Sequence, residues 1–349
     1  MSRVALLPTP CDPFVTLVWL ECFKRYWQDE VDRLHVHINS SLEGPVVEYV
    51  KEKLAENAKI TVTYENQMAD HGPSLTKMLL ESTEDLVMFV EDDCLIFKSG
   101  IVDDCFRKIE DGHFDIVGSG RGSCSQNIWE ASGKKYNLDY HGYGDKGPNF
   151  WPNCFFAKRS DLMKTDLDFA AHTWLPGKRI EELDLDITET TVGDTFVWGS
   201  IQLMNMGLRV CYVPQFHGHP NDLEWHEKKQ GLWNGDAYWI HIGSVSSGIH
   251  GIIRSSNGRP MAFRRNESVE PSKLPMYATT EAERGEFERR VGFWMYCLEK
   301  ASVKHPALNE FDYFCIDYAG GIAQIIKANE LDLDKITKYV EIYKELVGL

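Results

Sequence analysis

Five apolar residues, Leu86-Val87-Met88-Phe89-Val90, run without interruption into three adjacent carboxylates, Glu91-Asp92-Asp93. An unbroken apolar run of this length is the pattern of a buried strand. Three neighbouring anions repel one another and lose solvation as they leave water, so a strand that delivers them to its end points to a cation or a polar ligand there. A hard divalent metal with oxygen ligands fits such a set. The rival reading is a charged turn emerging into solvent. Such a turn would continue polar, whereas Cys94-Leu95-Ile96-Phe97 returns at once to apolar sequence.

The segments around this strand set the fold. Val4-Ala5-Leu6-Leu7 followed by Pro8-Thr9-Pro10 reads as a first buried strand with a turn at its end, and Pro13 opens a helix to about Gln28. Arg33 to Asn39 is a second strand, and a helix from Gly44-Pro45 to about Glu56 carries Val46, Val47, Val50 and Leu54 on one face. Ile60 to Tyr64 is a third strand, followed by a helix from Gly72-Pro73-Ser74 to about Ser82. Strands alternating with helices, joined by connections too long for hairpins, imply a mainly parallel, Rossmann-like sheet. Ligands on such sheets bind at the carboxyl ends of strands, where both Pro8-Thr9-Pro10 and the triplet fall.

Beyond a helix near Ile101 to Ile109, the strand Asp115-Ile116-Val117-Gly118 leads into Ser119-Gly120-Arg121-Gly122, residues 124 to 149 look irregular, and Phe150 to Ala157 reads as a strand. Asp194-Thr195 is expected to start a helix to about Met206, with a strand from Leu208 to Val213 before Pro214-Gln215-Phe216-His217-Gly218-His219. A Gly- and Ser-rich stretch from Gly243 to Pro260 suggests a lid. Helices are expected over 281 to 301, 309 to 327 and 333 to 347. The division read from this order is 1–265 as a catalytic domain (1–110 for the nucleotide sugar, 111–265 for the acceptor and lid), then a helical region over 266–349.

At 349 residues with 43% hydrophobic and 12% aromatic content, the chain can bury a substantial core. No segment approaches the ~20 apolar residues needed to span a bilayer, and the start of the chain does not read as a signal peptide, so a cytoplasmic protein without membrane contact is expected. The nine cysteines form no C-x-x-C pair. A net charge of −16 argues against an extended nucleic-acid surface, although Arg254, Arg259, Arg264 and Arg265 form a basic island without an acid between them.

The order of parts resembles the nucleotide-sugar glycosyltransferases of the GT-A fold, over roughly residues 1 to 220, with Glu91-Asp92-Asp93 in the position of their DxD motif and similar to the Glu-Asp-Asp form of the N-acetylglucosaminyltransferase I group. The resemblance implies a metal-dependent transfer of a sugar from a nucleotide diphosphate, with a UDP-sugar the first expectation, to a hydroxyl acceptor. It makes Asp93 the primary ligand of Mn²⁺ or Mg²⁺, Asp92 a ribose or metal contact, and Glu91 a contact to nucleoside or sugar. It also makes Asp194 the base of an inverting displacement, with Glu189 in reserve and a plain helix cap as the alternative for Asp194. One further metal ligand is implied after the 208–213 strand, where His217 is preferred to His219; an imidazole there favours Mn²⁺ over Mg²⁺.

Placement along the chain adds Thr9 and Pro10 against the donor base or ribose, Lys77 near the diphosphate and Arg121 near the sugar. Each has a bland alternative as a turn or an exposed cation. Trp151, Trp174 and Trp198 are candidates for stacking on sugar or base, or are core residues. The arginine island either closes over donor phosphates, tracks an acceptor backbone, or is a solvated loop. The acceptor could be a saccharide, a protein, or a hydroxymethylated DNA base of the kind some phage and kinetoplastid enzymes modify. A sugar nucleotidyltransferase would share the acids and the sheet, but Leu7-Pro8-Thr9-Pro10-Cys11 lacks the glycine-rich loop that such enzymes usually place after the first strand.

Overall fold

The computed structural model describes residues 1–39, 45–65, 71–120, 123–138, 149–213, 230–233, 236–242, 278, 280–301 and 309–349. The chain begins β1 (Arg3–Thr9), α1 (Pro13–Cys22), β2 (Arg33–Asn39), α2 (Pro45–Ala55), β3 (Ile60–Glu65), α3 (His71–Glu81) and β4 (Leu86–Val90). It continues with β5 (Cys94–Ile96), α4 (Ile101–Glu110), β6 (Ile116–Gly118), α5 (Gln126–Tyr136), β7 (Cys154–Lys158), α6 (Arg159–Leu162), β8 (His172–Trp174), β9 (Arg179–Ile180), β10 (Leu185–Asp186) and β11 (Thr191–Gly193). Then come α7 (Val197–Asn205), β12 (Val210–Tyr212), β13 (Gln230–Trp233), β14 (Asp236–His241), α8 (Glu281–Ala301), α9 (Asn309–Ala328) and α10 (Leu333–Val347).

Seven strands form one sheet in the order β12-β6-β7-β4-β1-β2-β3. All its pairings are parallel except those of β7, which runs antiparallel between β4 and β6. The mainly parallel sheet flanked by helices, with helices at the C-terminus, is the architecture expected from the sequence. β4 is apolar throughout because both its faces are covered. Leu86, Met88 and Val90 join the core under α1 and α4, while Val87 and Phe89 face Leu75 and Leu79 of α3.

At Val90 the chain leaves this sheet, turns through the three carboxylates, and enters a second sheet of order β13-β14-β5. The turn is therefore the hinge point between two sheets. In the small sheet His241 pairs in register with Cys94, and the Ile242 amide donates to the Asp93 carbonyl at 3.0 Å.

The C-terminal helices bury Trp294, Tyr296, Tyr339 and Tyr343 in the same core as Trp19, Phe23 and Trp27 of the first helical segment. That segment is an α-helix only to Cys22 and then widens into a π-turn over Phe23–Trp27. α10 is capped by Asp332, whose Oδ1 accepts from the Asp334 and Lys335 amides.

Two expectations need correction. Residues 124 to 149 are not wholly irregular, since α5 crosses them and ends at Asn137 in the left-handed region. Its Ser132 and Gly133, weak helix formers by propensity, are buried, so packing overrides the local signal. α7 begins at Val197 rather than Asp194, because Phe196 takes a φ of 70° and its amide donates to the Phe169 carbonyl.

Candidate functional site

The turn after β4 is held from below by α1. The Trp19 indole N–H lies 3.1 Å from both the Glu91 and the Cys94 carbonyl oxygens, and the Cys94 amide donates back to Glu91 at 3.1 Å. These bonds fix the backbone on either side of Asp92 and Asp93. Both aspartates are buried, and Glu91 is part-exposed.

Two of the carboxylates converge on an imidazole. His241 Nε2 lies 3.2 Å from Glu91 Oε2 and 3.4 Å from Asp93 Oδ1. One ligand atom from each of the three residues falls within 4.8 Å of the others. Burial pulls the His241 pKa down, but the Asp93 and Glu91 carboxylates more than reverse this and raise it to about 9. Its Nδ1 is buried without a hydrogen-bond partner among the described residues, and its ring meets Trp151 edge-on at 4.9 Å. Glu91 also reaches the other way, placing Oε1 3.6 Å from Nδ1 of His71 at the start of α3.

This donor set suits a divalent cation. Carboxylate oxygens are the ligands that hard ions take, and a neutral imidazole nitrogen tilts the choice towards Mn²⁺. In the absence of metal the protonated imidazole supplies the positive charge between the two acids.

Asp92 is turned elsewhere. Its Oδ2 accepts from the Thr9 hydroxyl at 2.8 Å, and Thr9 Oγ1 accepts from the Cys11 amide at 2.9 Å. Cys11 itself sits at a φ of 62°, in the left-handed region. Asp12 Oδ1 then caps α1 by accepting from the Phe14 and Val15 amides, while its Oδ2 accepts from the Tyr318 hydroxyl of α9 at 2.9 Å. A chain of contacts thus joins the C-terminal helices to the carboxylate turn. α8 adds a second link: burial and the neighbouring Arg289 pull the Arg290 guanidinium below its usual pKa, against the fields of Glu286 and Asp93.

Of the residues singled out in the sequence, Thr9, Glu91, Asp92 and Asp93 come together, with Pro10 half-buried in the adjoining turn. Lys77 does not join them, since its ammonium is held by Glu65 at the end of β3. An open groove of about 550 Å³ runs between α3 and Asp166–Phe169, lined by Thr76, Lys77 and Leu80 but by no member of the carboxylate cluster.

Asp194 is exposed, directly after β11. Its amide donates to the Ser123 carbonyl at 3.0 Å, and its Oδ1 accepts from the next amide, Thr195, at 2.8 Å. It does not cap α7. Glu189 is exposed in the preceding loop. Ser123 follows the end of β6, and the Ser119 carbonyl there accepts from the Trp151 amide at 3.1 Å. Trp151 meets the His241 ring, so the segment that leaves β6 at Ser119 reaches the carboxylate cluster through this tryptophan.

Arg121, His217, His219 and the arginine island lie outside the described residues. His241 was missed by sequence reasoning. Its signal is Tyr238-Trp239-Ile240-His241-Ile242, an apolar strand with one ionisable side chain near its end, the same logic as the run at 86–93.

No protein-family model matches the chain, and no curated protein matches it. Among solved structures, similarity is found to S. aureus TarS 1-349 at 13% identity over 99% of this chain and 92% of that one, with a TM-score of 0.40. The same protein in complex with UDP-GlcNAc matches at 12% identity over the same shares, also at 0.40. The mannosyltransferase PcManGT from Pyrobaculum calidifontis, in complex with GDP-Man and Mn²⁺, matches at 13% identity over 95% of this chain and 87% of that one, at 0.41. At likeness this distant, the chemistry of the site rests on its own side chains.

Proposed function

We propose that this chain is a metal-dependent glycosyltransferase of the GT-A kind, moving a sugar from a nucleotide diphosphate to a hydroxyl acceptor with inversion. The observation that carries the reading is the convergence of Glu91, Asp93 and His241 at the carboxyl end of a strand in a mainly parallel sheet. When bound, a divalent cation such as Mn²⁺ neutralises the negative charge that gathers on the departing diphosphate. Asp93 and His241 are its ligands in this reading, with Glu91 completing the set. Thr9 holds Oδ2 of Asp92, which is the ribose contact in this reading, and Pro10 lies in the same turn. The Arg290 guanidinium, which feels the field of Asp93, adds positive charge on the side of α8.

Asp194 is the base. Its carboxylate takes the proton from the acceptor hydroxyl, the acceptor oxygen forms a bond to the anomeric carbon, and the bond from that carbon to the diphosphate oxygen breaks with its electron pair leaving on the diphosphate. An exposed carboxylate that caps no helix is available for this. A UDP-sugar is the first donor to try.

The test is calorimetric and thermal-shift binding of nucleoside diphosphates and nucleotide sugars, UDP-GlcNAc and GDP-mannose included, each with Mn²⁺, Mg²⁺ or EDTA. Ligand that binds the native state raises its stability by linkage. Stabilisation by one nucleotide only when metal is present supports the reading. Absence of any metal-dependent binding sinks it.

A further inference from the structure

The ribbon of β8 and β11 and the first turn of α7 gather three aromatic rings around the segment that carries Asp194. Gly193, the residue before Asp194, pairs in register with His172, and Thr191 pairs with Trp174. His172 and Trp174 stack at 5.3 Å with an interplanar angle of 18°, and Trp198 stands 6.1 Å from His172 on the first turn of α7. All three rings are part-exposed. Trp174 and Trp198 rest on a small core that includes Val197 and Ile201, which fixes their positions.

Two exposed carboxylates flank the rings, and one of them is bonded to Trp198. Trp198 Nε1 donates to Asp166 Oδ2 at 2.7 Å, and His172 Nε2 lies 3.3 Å from Asp168 Oδ2. Rings with fixed planes beside carboxylate acceptors match a sugar, whose axial C–H bonds rest on an aromatic face while its hydroxyls donate to carboxylates. The charge is wrong for a phosphate-bearing molecule. Between Asp166 and Asp194 the sequence has Lys178 and Arg179 as its only lysine and arginine against a run of acids, and Arg179 is already paired with Glu181, Asp184 and Asp186.

We propose that His172, Trp174 and Trp198, flanked by Asp166 and Asp168, form the platform on which an uncharged saccharide acceptor rests with one hydroxyl against Asp194. This rests on the glycosyltransferase reading and names its acceptor. A duplex DNA or a polyol phosphate would meet repulsion at the same place.

The experiment uses the full chain with Mn²⁺ and a nucleoside diphosphate. Neutral oligosaccharides, hydroxymethylated duplex DNA and a polyol phosphate are each titrated, followed by tryptophan fluorescence and by saturation-transfer NMR. Calorimetry of the nucleotide is run in parallel. A neutral saccharide should bind, and Trp174→Ala should weaken it roughly tenfold or more while leaving nucleotide affinity unchanged. Because Trp174 packs against Gly193, His172→Ala is the second variant, with the same expected direction. The platform is overturned if only the phosphorylated acceptors bind, if no neutral saccharide binds, or if both variants bind saccharide as the parent does. Loss of all nucleotide binding in the parent chain overturns the donor reading instead, and the saccharide titration still judges the platform.

Discussion

His241 Nε2 lies 3.4 Å from Asp93 Oδ1 although the two residues belong to different strand systems, the imidazole to β14 of the small sheet and the aspartate to the turn that ends β4. The pairing of β14 with β5 enforces this meeting, because the residue opposite His241 is Cys94, the first after Asp93. The cluster is thus specified by register, since the pairing of the small sheet brings the imidazole to the carboxylate turn.

The first prediction concerns the ligands themselves. Outer partners of metal ligands already alter affinity about 10–100-fold when mutated, so loss of a direct ligand should cost at least about 100-fold. His241→Ala and Asp93→Asn should each lose Mn²⁺-dependent nucleotide binding by that factor in calorimetry. Far-UV circular dichroism should be unchanged, since the backbone pairing of β14 with β5 holds both segments. A fully competent Asp93→Asn protein would remove the proposed metal centre.

The second concerns pH. A ligating imidazole nitrogen must be unprotonated, and His241 holds its proton to about 9 in the metal-free protein. Mn²⁺ affinity should therefore rise with pH below 9, by up to about tenfold per unit, and binding at pH 7.5 should release about one proton, read from the buffer dependence of the calorimetric enthalpy. In EDTA the sign reverses. The native state binds the proton more tightly than the unfolded chain, so His241 contributes stability that is fully present below about 6.5 and is lost as pH rises towards 9, on the order of 3 kcal/mol. His241→Gln should flatten that slope.

How much of this was legible depends on how local each cause is. The carboxylate strand could be read because a strand covered on both faces must be apolar throughout and ends abruptly where the three acids begin. The C-terminal helices could be read for a similar reason, from long periodic segments with a cap such as Asp332. His241 could not be tied to Asp93, because their contact depends on pairing between segments far apart in sequence. Asp194 looked like a helix start because Gly-Asp-Thr has cap chemistry, but the left-handed Phe196 delays the helix. α5 escaped notice because its Ser and Gly suit packing rather than propensity.

A third prediction tests why the helical region belongs to the site. The Tyr318 hydroxyl donates to Asp12, which caps α1, and α1 carries the Trp19 that holds the carboxylate turn. Tyr318→Phe leaves Asp12 Oδ2 buried with one donor fewer and should cost about 1–3 kcal/mol in urea denaturation. Thr9→Val should instead cost little stability beyond its bond to Asp92 and weaken nucleotide binding several-fold. Equal effects of the two variants on nucleotide affinity and stability would show that Thr9 acts only as part of the general scaffold.

The last prediction lies away from the site, on β2 and β3. His35 Nε2 and His37 Nδ1 each lie 2.8 Å from the Thr63 hydroxyl, in a buried stripe under α3. One hydroxyl serves both rings, and it can donate its proton to one ring nitrogen while accepting from the other. Burial, with Arg33 and His37 adding, lowers the His35 pKa to about 4, and burial with Lys77 lowers that of His37. Between about 4 and 6.5 the unfolded chain therefore binds more protons than the native one, and stability must fall as the pH falls through that window. His35 alone sets a slope of up to about 1.4 kcal/mol per pH unit. Lys77 holds Glu65 below the usual carboxylate range, so this neighbour adds to the decline only at the acid end of the window. Urea midpoints at pH 7, 6 and 5 should decline accordingly, and His35→Gln should reduce the decline. A midpoint constant from pH 7 to 5 would mean that the rings accept protons in the folded state without loss, against the burial that should oppose it.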